Sequence, residues 1–216
     1  MMLHRFQSLT RPLLIAAFVL AAPFAAGGAF ADTITFGEVP PNTPLDSPTF
    51  SGAPFLTVDG VTFSYTEFGS PSPAACFGCG QFGSGTLSIQ DPELSGPSDG
   101  VLTMSFATPV TALSFDVALD TPDVLTPGYT VSLFGGTGAS LGVDPIETVP
   151  LVAFTEGLFS YSGAPVSSVS ISFDANDSNN FGLGDLSFVP VPEPASLSVL
   201  AVGLFAMGWV RRRYRV

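Results

Sequence analysis

Cys76 and Cys79, in the stretch "SPSPAACFGCGQFGSG", are the two thiols of the chain. Thiols at this spacing serve a loop disulfide, redox exchange, haem attachment or metal ligation. Redox exchange wants the pair at the start of a helix in a βαβ pattern, which the surrounding Gly, Pro and Ser do not form. Haem attachment needs histidine at position 80, where Gly80 stands. A disulfide stapling the loop is the expected state. A bridge to a partner, or a metal site completed by carboxylates, is the alternative.

"DANDSNNFGLGD" offers a second chemistry. Asp174, Asn176, Ser178, Asn180 and Asp185 stand at positions 1, 3, 5, 7 and 12 of a calcium-loop register. Hard oxygen donors at alternating positions can converge on one calcium ion. The match departs from the motif in three ways: Asn179 stands where Gly belongs, the flanks are strand-like, and the last ligand is the shorter Asp. The alternative is a polar hairpin loop whose Asn and Asp side chains close Asx-turns. Calcium is the one cofactor the sequence suggests.

Asp116, Asp120 and Asp123 form a further acidic group. Paired carboxylates serve glycosidases, but no Trp precedes Trp209 and no cationic side chain is at hand to position a substrate. A solvated face, and no enzyme, is the expectation. Tyr65, Tyr129 and Tyr161 are available to line a sugar-binding cleft. Hydroxyl runs such as Thr62, Ser64 and Thr66 suit ice or glycan, or are simply the wet side of a sheet.

Charge narrows the choices. All 18 acidic residues follow residue 31, while the six basic residues are Arg5, Arg11, Arg211, Arg212, Arg213 and Arg215, and the one histidine is His4. Residues 32–210 therefore carry no Lys, Arg or His. Side-chain salt bridges, phosphate neutralisation of nucleic acid, and Ser-His-Asp or Cys-His catalysis are all excluded within that span.

Strands must position these groups. "VTFSYT" alternates Val61, Phe63 and Tyr65 with Thr62, Ser64 and Thr66. Leu102, Met104 and Phe106 alternate likewise, as do Leu113, Phe115, Val117 and Leu119, then Val169, Ile171 and Phe173, then Leu186 and Phe188. Period two over such lengths predicts half-buried antiparallel strands. Asp59-Gly60 predicts a hairpin turn. The fold expected for residues 32–189 is all-β: a two-sheet antiparallel sandwich of about nine or ten strands, jelly-roll-like. "FATPVTALSFD" and "YSGAPVSSVSISFD" echo each other, each with an aromatic, Pro-Val, an alternating strand and Phe-Asp. Residues 37–54 read as irregular wrapping chain, and residues 189–192 as an extended stalk.

The two ends are of another kind. Arg5 and Arg11 precede an apolar run that ends at Ala29-Phe30-Ala31, the small-x-small spacing of a signal peptide over residues 1–31. Signal peptidase would cut after Ala31, a retained anchor being the other reading. At the far end, residues 195–210 are apolar apart from Ser196 and Ser198 and run into the arginines. As a helix they span about 24 Å, short of the ~30 Å hydrocarbon core, with snorkelling arginines and Trp209 making up the difference. The positive-inside rule leaves the arginines cytoplasmic and residues 32–189 outside.

Pro192, Glu193 and Pro194, the short apolar helix and Arg211, Arg212 and Arg213 together resemble the PEP-CTERM sorting domain, over residues 190–216. That resemblance implies a transient inner-membrane anchor, cleavage by an exosortase-type enzyme, and delivery to the cell surface or an exopolysaccharide matrix. The expected protein is exported, non-catalytic and structural or adhesive. A carbohydrate-binding module, with or without calcium, is the second expectation, polysaccharide being its partner.

Overall fold

A computed structural model of the protein describes residues 31–34, 39–45, 56–79, 93–151 and 153–191. Residues 29–191 form one compact unit. The expected signal segment (apart from Ala31), Pro192-Glu193-Pro194, the apolar stretch 195–210 and the arginine tip lie outside the described residues. Among the described residues no helix is long and apolar enough to cross a membrane.

Thirteen strands carry the described chain: β1 (Asp32–Ile34), β2 (Thr43–Pro44), β3 (Leu56–Val58), β4 (Val61–Glu67), β5 (Ser70–Pro71), β6 (Cys76–Phe77), β7 (Leu94–Pro97), β8 (Gly100–Leu119), β9 (Tyr129–Phe134), β10 (Ser140–Ile146), β11 (Val149–Pro150), β12 (Thr155–Phe173) and β13 (Asn180–Pro190). Every pairing is antiparallel. The strands belong to a single continuous sheet instead of two separate ones.

Two long strands explain that continuity. Residues 100–106 of β8 pair with β4 on one side, and residues 101–105 pair with the end of β12 on the other. Residues 110–119 of the same strand pair with β13 and with the start of β12. A first layer thus runs β3, β4, β8, β12, β9, β10, and a second runs β11, β12, β8, β13, β7, β6, β2. Both long strands change layer at their Pro-Val dipeptides. Val110 pairs with Val166, with register shifts on either side of Val166, and both valines are fully buried. The sequence echo marks this crossing.

Aromatic rings join the layers. Tyr65 packs on Phe181 with centroids 5.9 Å apart, Phe63 meets Phe77 edge-on at 5.7 Å, and Phe173 stacks on Phe181 at 3.9 Å. Such pairs add about 0.5–1.5 kcal/mol each beyond area burial. The alternation expected from sequence holds: Val61, Phe63, Tyr65, Leu102, Met104, Phe115, Val117, Val169, Ile171, Leu186 and Phe188 are all core residues. Asp59 and Gly60 both take positive φ between β3 and β4, as a type I′ turn requires.

Three expectations change. "LTMSF" and "ALSFDVALD" are halves of one strand, since the Pro-Val between them bends the chain without ending it. Residues 189–191 are no free stalk: Val189 and Pro190 pair with β8, and the Val191 N–H donates to the Pro109 carbonyl at 2.8 Å. Within the expected wrapping chain, Thr43–Pro44 form a short strand on β6, and Leu45 is fully buried.

Gly100 lies beneath the Tyr65 ring, where an added Cβ would come within 2.2 Å of Tyr65 Cζ. The ring is held by Phe181 and by its hydroxyl, which donates to the Pro97 carbonyl. Gly100→Ala should therefore destabilise the fold by about 1–3 kcal/mol, read as a lowered denaturation midpoint in urea.

Candidate functional site

Tyr65 and Tyr129 are each 1% exposed. Tyr65 bonds the Pro97 carbonyl, and the Tyr129 hydroxyl donates to Gly157 O at 2.6 Å. Burial, then nearby carboxylates, push both phenols well above their ordinary range, so they remain neutral donors. Neither lines a cleft. Period two put them on the core face, and each polar tip found a carbonyl there. Tyr161 is partly exposed and donates to Ala164 O at 3.0 Å.

The calcium register comes apart. Asp174 Oδ1 accepts from the Asn176 N–H at 3.0 Å and from Asn176 Nδ2 at 3.2 Å, an Asx-turn. Ser178 is buried, and its hydroxyl donates to Asn180 O at 2.8 Å while accepting the Asp120 N–H at 3.1 Å. Asn180 already opens β13 against Pro97. Asp185 stands five residues further along that strand, about 16 Å away at ~3.3 Å per residue, far beyond a shared ion at 2.3–2.6 Å. The polar-loop reading describes this segment. No group of three or more His, Cys, Asp or Glu side chains placed to hold a metal ion occurs among the described residues.

Cys76 and Cys79 are joined, their Cα atoms 6.0 Å apart. Cys76 sits in β6 between Pro44 and Ser95, so the bridge ties off the end of a strand that carries β2 on one side and β7 on the other.

Asp116, Asp120 and Asp123 are spread along the chain. Asp116 and Asp120 share strand parity, but four extended residues separate them by about 13 Å, wider than the ~5–9.5 Å of glycosidase pairs. Asp120 accepts a bond from Asn180 Nδ2 at 3.4 Å, and Asp123 lies in the following loop, its N–H bonded to Thr121 Oγ1. Asp116 instead meets Asp185 and Glu156. Asp185 has φ 52° and occupies a bulge in β13, between the Gly184–Asp116 and Ser187–Ser114 pairs. Burial first, then Asp185 and Glu156, raise the Asp116 pKa.

The outer face of the first layer holds what single-strand reading missed. Register places Thr62 beside Ser105 and Ser105 beside Ser168. The next row runs Ser64, Thr103, Ser170 and Ser132, and a third runs Thr66, Val101, Ser172 and Thr130. Hydroxyls touch across strands, Thr103 to Ser170 at 3.2 Å and Thr57 to Thr62 at 3.0 Å. None of these side chains is buried, and no charged residue stands in the three rows. The signal was the recurrence of Ser and Thr at alternate positions in four strands, but only pairing register shows that they share one surface.

Residues 190–213 match the PEP-CTERM protein-sorting motif. The tail carries that motif, which marks an exported protein processed by an exosortase. No curated protein matches the chain. Among solved structures, family 29 carbohydrate-binding module variants complexed with mannohexaose and with cellulohexaose match at 9% and 10% identity, with TM-scores of 0.37 and 0.36. They cover 74% and 73% of this chain and 91% and 90% of their own. The module CBM32-3 from a family 31 glycoside hydrolase of Clostridium perfringens matches at 7% identity and a TM-score of 0.32, over 48% of this chain and 78% of its own. Likeness this loose carries no argument about what the protein binds.

Asp116 yields a signed pH effect. A carboxyl whose pKa rises on folding favours the folded state while protonated, below its unfolded value of about 4, and loses that preference as pH climbs through the raised folded value. Asp116→Asn should accordingly raise the melting temperature at pH 7 and leave it unchanged near pH 3, as followed by circular dichroism.

Proposed function

We propose that the chain carrying this PEP-CTERM motif is an exported, non-catalytic protein of the cell surface or extracellular matrix, with a structural or adhesive role. The sorting motif is the observation that carries the reading. In this reading residues 1–31 are removed by signal peptidase, and residues 195–210 hold the chain briefly in the inner membrane with Arg211 to Arg215 cytoplasmic. An exosortase-type enzyme then cuts near Pro192-Glu193-Pro194. The resulting product has no basic side chain at all.

The chemistry of the described residues supports the non-catalytic part. Catalytic imidazole and side-chain cations are missing from residues 32–210. The two thiols are bonded to each other. Asp116 and Asp120, four residues apart on extended chain, stand about 13 Å from each other, wider than the carboxylate pairs of glycoside hydrolysis. A jelly-roll-like strand order belongs to the same reading, as a scaffold that exposes one broad face.

Polysaccharide binding is the second reading, and the uncharged hydroxyl rows of the first layer favour it. The sorting reading is tested by cell fractionation and intact mass in strains with and without the exosortase-type enzyme. The expected outcome is a mature species outside the cell that begins at Asp32 and lacks Arg215. Mature protein found in the membrane of the enzyme-bearing strain, still ending in Arg215 and Val216, would overturn it.

A further inference from the structure

Phe68 is the most exposed large apolar residue described, at 91%, and it has φ 50°. With Gly69, φ 77°, it forms the two-residue turn between β4 and β5. Turns of this kind take Asn, Asp or Gly at that position, as Asp59 does in the preceding hairpin. A phenylalanine there is disfavoured twice, by its left-handed backbone and by its ring in water. Nothing in the turn accounts for either cost. Phe68 follows Thr66 by two residues, in the turn at the end of β4 that carries the third row, so it stands at the border of the hydroxyl rows.

We propose that this face, with Phe68 at its border, is a docking surface for a neutral polysaccharide; the proposal rests on the export reading above. Rows of hydroxyls about 4.8 Å apart across strands offer repeated donors and acceptors to a chain of sugar hydroxyls. Those already in contact, such as Thr103 with Ser170, are oriented in advance and keep capacity for a further bond each. An exposed aromatic ring supplies an apolar platform that the C–H face of a pyranose needs, on a face that also carries the half-buried Val101 and Phe134. Charge decides the class of glycan. The domain is anionic and has no cation with which to hold a polyanion, so an acidic polymer is repelled. The three rows themselves hold no charge, and the acids Asp99 and Asp174, on the same parity, come one step past Val101 and Ser172, which adds to the repulsion of a polyanion.

The test uses the full-length chain in detergent micelles, with insoluble cellulose and mannan as neutral probes and alginate as the anionic one. Retention on a neutral probe and not on alginate is expected, reduced at least tenfold by Ser170→Asp and by Phe68→Gly. Phe68→Gly should not lower the melting temperature, because glycine suits the turn. A ring with only a structural role would behave in the opposite way. Wild-type retention that both variants keep, or equal retention on alginate, overturns the proposal. So does failure to bind either neutral probe by a protein that still reaches the cell exterior, which leaves the export reading standing. Ice-crystal shaping that Ser170→Asp abolishes, without glycan retention, overturns it in favour of an ice lattice. Failure of export itself removes the underlying reading first.

Discussion

The pairing of Val110 with Val166 is the constraint from which the rest of the architecture follows. Each valine comes after a proline, and proline cannot donate to a ladder, so neither strand passes this point with regular bonding. The chain bends there without ending. Because β8 and β12 run antiparallel, each enters the crossing from the layer into which the other passes, and the two bends support each other. Val191 closes the same place from the second layer through its bond to Pro109. The facing of Phe63 on Phe77, and of Phe173 on Phe181, is available only because the sheet folds over at this crossing.

A domain without cations has to hold its carboxylates by other means. Asp32 accepts the Thr33 N–H at 3.0 Å, Asp174 accepts from Asn176, and Asp120 accepts from Asn180. Each lies at a strand end or turn, where backbone amides are free and water screens the charge. Asp116 is the exception. It sits within β8, where its backbone is committed to the ladder on both sides, and its near neighbours are Asp185 and Glu156. Burial in that position, then the two neighbouring carboxylates, raise its pKa.

How much of this could be read in the chain itself differed with the range of the interaction. Facing was legible, because period two depends on adjacent residues: Phe63 against Ser64, or Ile171 against Ser170, needs no knowledge of partners. The turn at Asp59-Gly60 was legible for the same reason. Layer membership was not. The echoed Pro-Val segments were visible as a repeat, but that they pair with each other across more than fifty residues is a matter of register. The calcium pattern misled because a spacing of ligands presumes a compact loop, and Asn180 had already gone extended. The tyrosine cleft misled because alternation, followed strictly, had already assigned Tyr65 to the interior. Phe68 escaped notice because its backbone conformation, and not its identity, sets it apart.

The shared strands also give the protein a mechanical property. Force applied at Val191 acts along β13, whose paired residues from Phe181 to Pro190 share it side by side with β8. From Ala112 the covalent backbone of β8 carries that load around the bend to Thr103 and Ser105, without crossing from one sheet to another through side-chain packing alone. A sandwich of two separate sheets can shear along its apolar midplane. Here, tension between the tail end and the hydroxyl face is borne by peptide bonds.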